Sequence, residues 1–206
     1  MIELPFDPSQ LNFFISTLDD EDRPKILSHL KRLDREDRYM RFFAALSDHA
    51  LESYTEKSLD LVSGRGFGVF SIPDRKLIAF AHVSTAEQEG HLVKAELGIS
   101  IDKGCRGKGL AKRLMDRVIV YCKAYNINTL FMSCLRENKR MQHVAKAAGL
   151  KVVMNVDEAF ADLSLEGSDR KSSISQEIAH EQISVFDKAY RHNQVLVNEI
   201  LKVTKG

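Results

Sequence analysis

The chain opens on a short apolar run, LNFFIST (Leu11 to Thr17), that reads as a strand, and then shifts to helical spacing. Ile26, Leu27, Leu30 and Leu33 recur every three or four positions, behind an acidic stretch in which Asp19 or Asp20 can cap a helix. Glu21 and Asp22 favour the positive end of that helix, and Pro24 is tolerated in its first turn. A second helical stretch runs from about Asp34 through Phe43, with Tyr39, Phe42 and Phe43 as its bulky face, and Ser47 can cap a further short helix. Ser63 to Gly68 is glycine-rich and breaks the helical pattern. Three strand candidates follow: FGVFSI, then KLIAFAHVST after a turn at Pro73-Asp74, then HLVKAELGISI after a loop around Glu89-Gly90. Spacing this tight leaves no room for crossover helices and predicts an antiparallel meander.

The spacing then turns helical again, with Leu110, Leu114, Val118, Cys122 and Tyr125 on one side and Lys112, Arg113, Asp116 and Arg117 on the other. NTLFMSCL reads as a buried strand, Glu137 to Ala148 as a helix ended by Gly149, and KVVMNV and AFADLSL as a closing hairpin. This order predicts an α/β (α+β) fold: a mixed, mostly antiparallel central sheet flanked by helices, with one parallel crossing. It does not fit a doubly wound nucleotide fold. A polar linker, Gly167 to Ser173, divides a domain over residues 1–166 from a helical extension over 167–206. In that extension Ile174, Ile178, Val185, Ala189, Leu196, Ile200 and Val203 form one stripe, broadened by Phe186, Tyr190, Val197 and Leu201. So wide an apolar face must be buried. The expectation is packing on the chain's own domain, with a homodimer through this helix or a partner protein as the other outcomes.

Composition narrows the class. At 206 residues, 44% hydrophobic and 29% charged, the chain can bury one ordinary core and is neither disordered nor membrane-spanning in character. Its longest uncharged apolar stretches are strand-sized, against the roughly 20 residues that a span requires. MIELPFDPSQ lacks the features of a signal peptide, and the three cysteines form no CxxC pair, so a reduced, cytoplasmic setting is expected. Lys and Arg total 30 against 29 Asp and Glu, which gives no reason to expect a nucleic-acid partner. The seven histidines show no metal-ligand spacing, and no metal is expected.

Local charge differs from the total. Lys103, Arg106, Lys108 and Lys112 stand within ten residues that contain no acid. They surround Gly104, Gly107 and Gly109, between the strand ending near Ile101 and the helix beginning near Gly107. Glycines there let the chain turn sharply and expose amide N–H groups at a helix N-terminus, where the helix dipole also favours an anion. A phosphate or pyrophosphate suits such a site. A Walker loop is excluded because Lys-Ser/Thr is missing, and the glycine spacing does not meet GxGxxG.

Arg106-Gly-Lys-Gly109-Leu-Ala111 resembles the Q/R-x-x-G-x-G/A signature of the GNAT superfamily of N-acetyltransferases. Asn138, followed by a helix and Gly149-Leu150, resembles the second conserved stretch of that family. AELGISIDKGCRGKGLA, from Ala95, is similar to the corresponding stretch of bacterial members, including the protein-lysine acetyltransferases, and DREDRYMRFF resembles a segment that often precedes it. The resemblance implies acetyl-CoA as acyl donor and an amine, on a protein lysine or a small molecule, as acceptor. Arg106, Gly107, Lys108, Gly109, Leu110 and Ala111 would then hold the pyrophosphate of coenzyme A. Ile99 and Ile101 would hold the pantetheine arm through their backbone, and Asn138 would bond to it or cap its own helix.

Glu96 stands ten positions before Arg106, where the family pattern carries a glutamate that serves as base. Strand alternation puts Val93, Ala95, Leu97, Ile99 and Ile101 on one face and Lys94, Glu96, Gly98 and Ser100 on the other. A carboxylate on an inner strand must be solvated or paired. Glu96 therefore either lines an acceptor cleft as a base, directly or through water, or makes a structural ion pair. The tyrosine that many members use as general acid is Ala145 here, so another group, water or unassisted departure of the thiolate would replace it. Cys105 and Cys134 read as small buried residues rather than nucleophiles. A catalytically silent acyl-CoA-binding sensor that acts through the C-terminal helix is the alternative to an enzyme.

Overall fold

A computed structural model describes residues 13–72, 74–87, 92–167 and 169–203, with side chains as far as 190. Seven strands form one sheet in the order β1 (Phe13–Leu18), β2 (Arg65–Ser71), β3 (Leu77–Glu87), β4 (Val93–Ile101), β5 (Thr129–Leu135), β7 (Glu158–Ser164), β6 (Lys151–Met154). Every pairing is antiparallel except β4 with β5. The predicted mixed fold is the one observed, including its single parallel crossing and its terminal helix. The turn at Pro73 and the loop around Glu89-Gly90 lie partly outside the described residues, as do Leu11 and Asn12.

Alternation along the strands builds a core on each face of the sheet. On one, Phe67, Val69, Ala79, Ala81, Val83, Ala95, Leu97 and Ile99 meet α4 (Leu110–Ala124) through Leu110, Leu114, Met115 and Val118, and meet α5 (Lys139–Ala147) through Ala145. On the other, Phe70, Leu77 and Phe80 meet Ile26, Leu30 and Leu33 from α1 (Arg23–Lys31) and its end, and Leu51 from α3 (Asp48–Ser53). The glycine-rich segment ends the helical pattern as expected, and part of it goes into the sheet. Gly66 and Gly68 lie within β2, where a Cβ would crowd Leu61, Leu18 and Leu77, so they let β1 and the helical layer close over the sheet.

The caps follow the sequence. Asp19 accepts from the Glu21 N–H at 3.0 Å and opens a short 3-10 turn before α1, and Ser47 Oγ accepts from Ala50 N–H at 3.2 Å to open α3. Asp34 accepts from Asp37 N–H at 2.9 Å and caps α2 (Arg35–Phe42). The bulky face assigned to α2 is not a core face. No residue of α2 is buried, Tyr39 and Phe43 are exposed, and Phe42 packs edge-on against Tyr54.

Buried polar contacts tie α1 to the end of β4. Ser100 Oγ donates to His29 Nε2 at 2.8 Å, and His29 Nδ1 lies 2.8 Å from Asp102 Oδ1, whose other oxygen accepts from Arg32 Nε at 2.9 Å. His29 is fully buried, and burial pushes its imidazole below the ordinary value despite the neighbouring Asp102. The neutral ring that satisfies both neighbours carries its proton on Nδ1.

The largest departure from the sequence reading is α6 (Arg170–Val203), which is about 51 Å long at 1.5 Å per residue. It packs on α4 and β1 with a polar face: Ser173, Glu177, Ser184 and Asp187 are buried. Ile178, Val185 and Phe186 point away, at 55%, 64% and 77% exposure. The expected docking of the apolar stripe on the chain's own domain is therefore not found. Leu196, Val197, Ile200, Leu201 and Val203 lie outside the described side chains. Arg117, assigned by its period to the solvent side of α4, is buried at 4% exposure, while Tyr125, assigned to the core side, is 55% exposed. α6 covers Arg117 on that flank of α4, while Tyr125 stands just past the end of α4 as its C-cap. Arg117 donates to both oxygens of Glu177, at 2.5 and 2.8 Å, and lies over the Phe67 ring. The linker is also shorter than composition suggested, since α6 begins at Arg170. No helix among the described residues is long and apolar enough to cross a membrane.

Two predictions follow from these buried groups. Glu177→Ala removes both hydrogen-bonded acceptors of the Arg117 cation, leaves it only Glu181 at 3.8 Å, and lowers the unfolding free energy by about 3 kcal/mol in urea titrations, whereas replacing the pair together with Met and Leu stays near wild type. Burial lowers the pKa of His29, His82 and His180 alike from 6.5. The unfolded chain then binds more protons than the folded one as pH falls through the ordinary histidine range. Stability decreases on lowering pH from 7.5 to 5, and the slope is shallower in His29→Gln.

Candidate active site

β4 and β5 are paired over only three residues each, Lys94–Glu96 with Thr129–Phe131. Beyond Glu96 the two strands part. The β5-facing edge of Leu97 to Ile101 is left without a strand partner, in a fold where backbone polar groups otherwise find one. A cavity of about 1580 Å³ occupies the opening. Its walls are Glu96 to Ile101 of β4, Met132, Ser133 and Cys134 of β5, the start of α4, the start of α5, and one flank of α2.

At one end lies the glycine loop. Gly107 and Gly109 have φ of 75° and 74°, a left-handed conformation that a side chain would strain. No side chain caps α4, so the N–H groups of its first turn face the opening unsatisfied. Leu110, 2% exposed, roots this turn in the core, while Gly107, Gly109 and Ala111 line the cavity. Arg106 also lines it, paired to Asp37 at 2.6 Å and donating to Ile101 O at 3.3 Å. Lys103 pairs with Asp34 at 2.9 Å and Lys112 with Asp116 at 2.7 Å. Lys108 is exposed and does not line the cavity. Much of the positive charge legible in the sequence is therefore already matched, and the amides are the unmatched donors.

Ile99 and Ile101 put their side chains into or against the core, so only their backbone faces the opening. Asn138 lines the cavity and caps α5, accepting from Met141 N–H at 3.1 Å. Ala145 is 1% exposed in the core, and Met141 and Val144 provide the cavity wall beside it. Cys105 and Cys134 line the cavity as free thiols, and burial raises the pKa of Cys134. Among the described residues no group of three or more His, Cys, Asp or Glu side chains is arranged to hold a metal ion.

At the other end Glu96 projects from β4 into the cavity, opposite Ser84 of β3. It is exposed, and no ion pair reaches it among the described residues, which removes the structural-pair alternative as this structure presents it. Around it stand groups that the sequence did not single out. His82 faces Gly98 across the β3–β4 ladder, is half-buried, and donates from Nε2 to Asp60 O at 2.6 Å. Burial lowers its pKa. Asp60 accepts from the N–H groups of Val62 and Ser63 at 2.8 and 2.9 Å, and from Ser63 Oγ, which holds its pKa at about 2. Arg41 of α2 lays its guanidinium over Gly98. The DREDRYMRFF segment is the one sequence signal that touches Arg41; nothing local marks His82 or Asp60, because their meeting depends on β3, β4 and the loop before β2.

A parted β4–β5 pair beside a glycine loop that opens a helix is an architecture shared with known proteins. A family model for the acetyltransferase (GNAT) domain matches residues 12–151. Among solved structures, the GNAT domain of PAT from S. lividans superposes with a TM-score of 0.62 at 19% identity, covering 73% of this chain and 89% of that one. The ribosomal-protein-S5-alanine acetyltransferase of Vibrio fischeri gives 0.63 at 16% identity, over 77% and 96%. The spermidine N-acetyltransferase of Vibrio cholerae, solved with CoA and spermine, gives 0.59 at 19% identity, over 74% and 95%. With the family model matching most of its sequence and the sheet opening where that fold requires, this chain belongs to the GNAT acetyltransferase family.

Proposed function

We propose that this protein is an N-acetyltransferase that moves the acetyl group of acetyl-CoA to a primary amine, with residues 1–166 as the catalytic domain and 167–206 as an extension. The observation that carries the reading is the unpaired edge of β4, which runs from Glu96 toward the uncapped start of α4. An extended amide-bearing chain can add to such an edge as a strand would, at Ile99 and Ile101. Its phosphates then meet the first-turn amides of α4, at Gly107, Gly109, Leu110 and Ala111, with Arg106 and Lys108 as nearby cations. The residues present fit coenzyme A on these grounds, and bound acetyl-CoA supplies an activated acyl thioester.

The protein's own contribution is positioning and proton transfer. Glu96 is the base that takes a proton from the incoming ammonium, directly or through one water. Ser84 lies across the ladder from it. Asn138 both caps α5 and borders the path of the pantetheine. With Ala145 buried, no tyrosine from that position reaches the thiolate, which leaves unaided or takes a proton from solvent.

The outward stripe of α6 supports self-association. Ile174, Ile178, Val185 and Phe186 are exposed large apolar side chains on the outward side, whereas Tyr190 stacks on Arg75 of the domain. A second copy of the same helix laid antiparallel can cover these four and contribute part of the ~800 Å² per partner of a standard interface. Because α6 docks by its polar face, that pairing leaves the domain packing intact.

Replacing Glu96 by Gln should lower kcat by at least about 100-fold while the affinity for acetyl-CoA, measured by calorimetry, is unchanged. Unaltered turnover across pH 6–9 would remove Glu96 from the mechanism, and acetyl-CoA binding without CoA release from any amine would favour the sensor. Sedimentation should give a dimer for the full chain and a folded monomer for Val185→Asp with Phe186→Asp; a wild-type monomer at about 100 µM, which corresponds to roughly 5.5 kcal/mol of association free energy, would exclude the self-association.

A further inference from the structure

Arg41 is a half-buried cation without an ion-pair partner among the described residues. Among the described residues no carboxylate lies within ion-pair distance of it, and its Nε is buried without a hydrogen-bond partner. It is partly buried, and its guanidinium lies against Gly98 so closely that a Cβ there would collide with Nη1, Nη2 and Cζ. The ring of Phe42 holds its other side, 4.9 Å from Cζ. Of the other cations lining the cavity, Arg106 is matched by Asp37, Lys103 by Asp34 and Lys112 by Asp116, while Lys139 and Arg140 stand at the start of α5 rather than over β4. Two acids of the cavity wall are engaged elsewhere. Asp60 has its oxygens on Val62, Ser63 N–H and Ser63 Oγ, and Asp37 is on Arg106. The nearest histidine, His82, is held neutral by burial and adds no charge of either sign.

Glu96 is the complementary case, an anion with no cation in ion-pair range among the described residues. Glu96 and Gly98 lie on the same face of β4, two residues and about 6.6 Å apart. Along this stretch of β4, therefore, a carboxylate at Glu96 and a guanidinium over Gly98 stand as neighbours facing the same cavity, neither in an ion pair among the described residues. A planar guanidinium held flat between a ring and a glycine is preorganised for a bidentate carboxylate. A polyamine, which carries cations alone, would meet Arg41 as repulsion.

We propose that Arg41 is the carboxylate-binding residue of the acceptor site, so that the acceptor is a small zwitterionic amine of the amino-acid class: ammonium at Glu96, carboxylate at Arg41. Gly98 is the residue that admits this arrangement, since any side chain there displaces the guanidinium. This inference rests on the acetyltransferase reading of the same site and adds the chemical class of its acceptor.

The experiment uses the purified full chain with acetyl-CoA and reads CoA release. Acceptors are supplied as matched pairs, each free amino acid beside its carboxamide and its decarboxylated amine, with spermidine and a lysine peptide blocked at both ends as further arms. Free acids should exceed their partners in kcat/KM by at least tenfold. Arg41→Gln should raise KM for the free acids by about 10- to 100-fold, and Arg41→Lys should recover part of the loss. The calorimetric affinity for acetyl-CoA, unchanged in both variants, shows that the fold and donor site are intact. Equal or better use of carboxamides, spermidine or the blocked peptide overturns the zwitterion proposal while leaving the acetyltransferase standing, and so does an equal loss on every acceptor in Arg41→Gln. Acetyl-CoA binding with no CoA release from any acceptor overturns both.

Discussion

The separation of β4 from β5 after Glu96 is the constraint on which the rest of this protein is arranged. A sheet interior normally satisfies every amide and carbonyl, and here one edge of an interior strand is withheld from that ladder. The opening persists because each strand is anchored elsewhere. β4 is paired along its full length to β3, β5 along its full length to β7, and Leu97, Ile99, Leu130 and Met132 root both in the core with α4. The two halves of the sheet are each complete, so the gap between them does not depend on a bound molecule to stay ordered.

Charge is distributed around that opening with the same economy of partners. The basic loop before α4 looks in the sequence like an unshielded cluster, yet Asp34 and Asp37 from α2 already meet Lys103 and Arg106. The helix therefore bridges the two ends of the cavity. Its first turn supplies acids to the glycine loop, and its last turn brings Arg41 over Gly98. A displacement of α2 would alter both ends together.

α6 shows how a helix can dock against expectation. Burial of Arg117 with Glu177 is costly unless both charges and their hydrogen bonds are satisfied, and the bidentate geometry with the Phe67 ring beneath provides that. Thr17 N–H donating to Ser184 Oγ at 3.0 Å and Arg75 pairing with Asp187 extend the same polar seam along β1. Such contacts fix register more tightly than an apolar stripe does, because each donor has one acceptor at one position. They also free the apolar stripe for another surface.

The sequence by itself determined the element order, the meander, the glycine loop at the start of α4 and the side of β4 on which Glu96 stands. These are properties of local spacing: alternation, helical period and glycine conformations are written within a few residues. It also made legible the glycine-loop end of the cavity, because a helix N-terminus and its glycines are contiguous in the chain. It could not determine which face of α6 is covered, since a period identifies a stripe without saying what lies against it. Arg117 and Glu177 are sixty residues apart, and their pairing outweighs the apolar pattern of both helices. Nor could it place Arg41 over Gly98 beside Glu96, or His82 against Asp60, since those meetings join elements from different parts of the chain. The tertiary structure alone decided where β4 and β5 part, because strand divergence follows from what packs on each half of the sheet and leaves no mark in either strand's own residues.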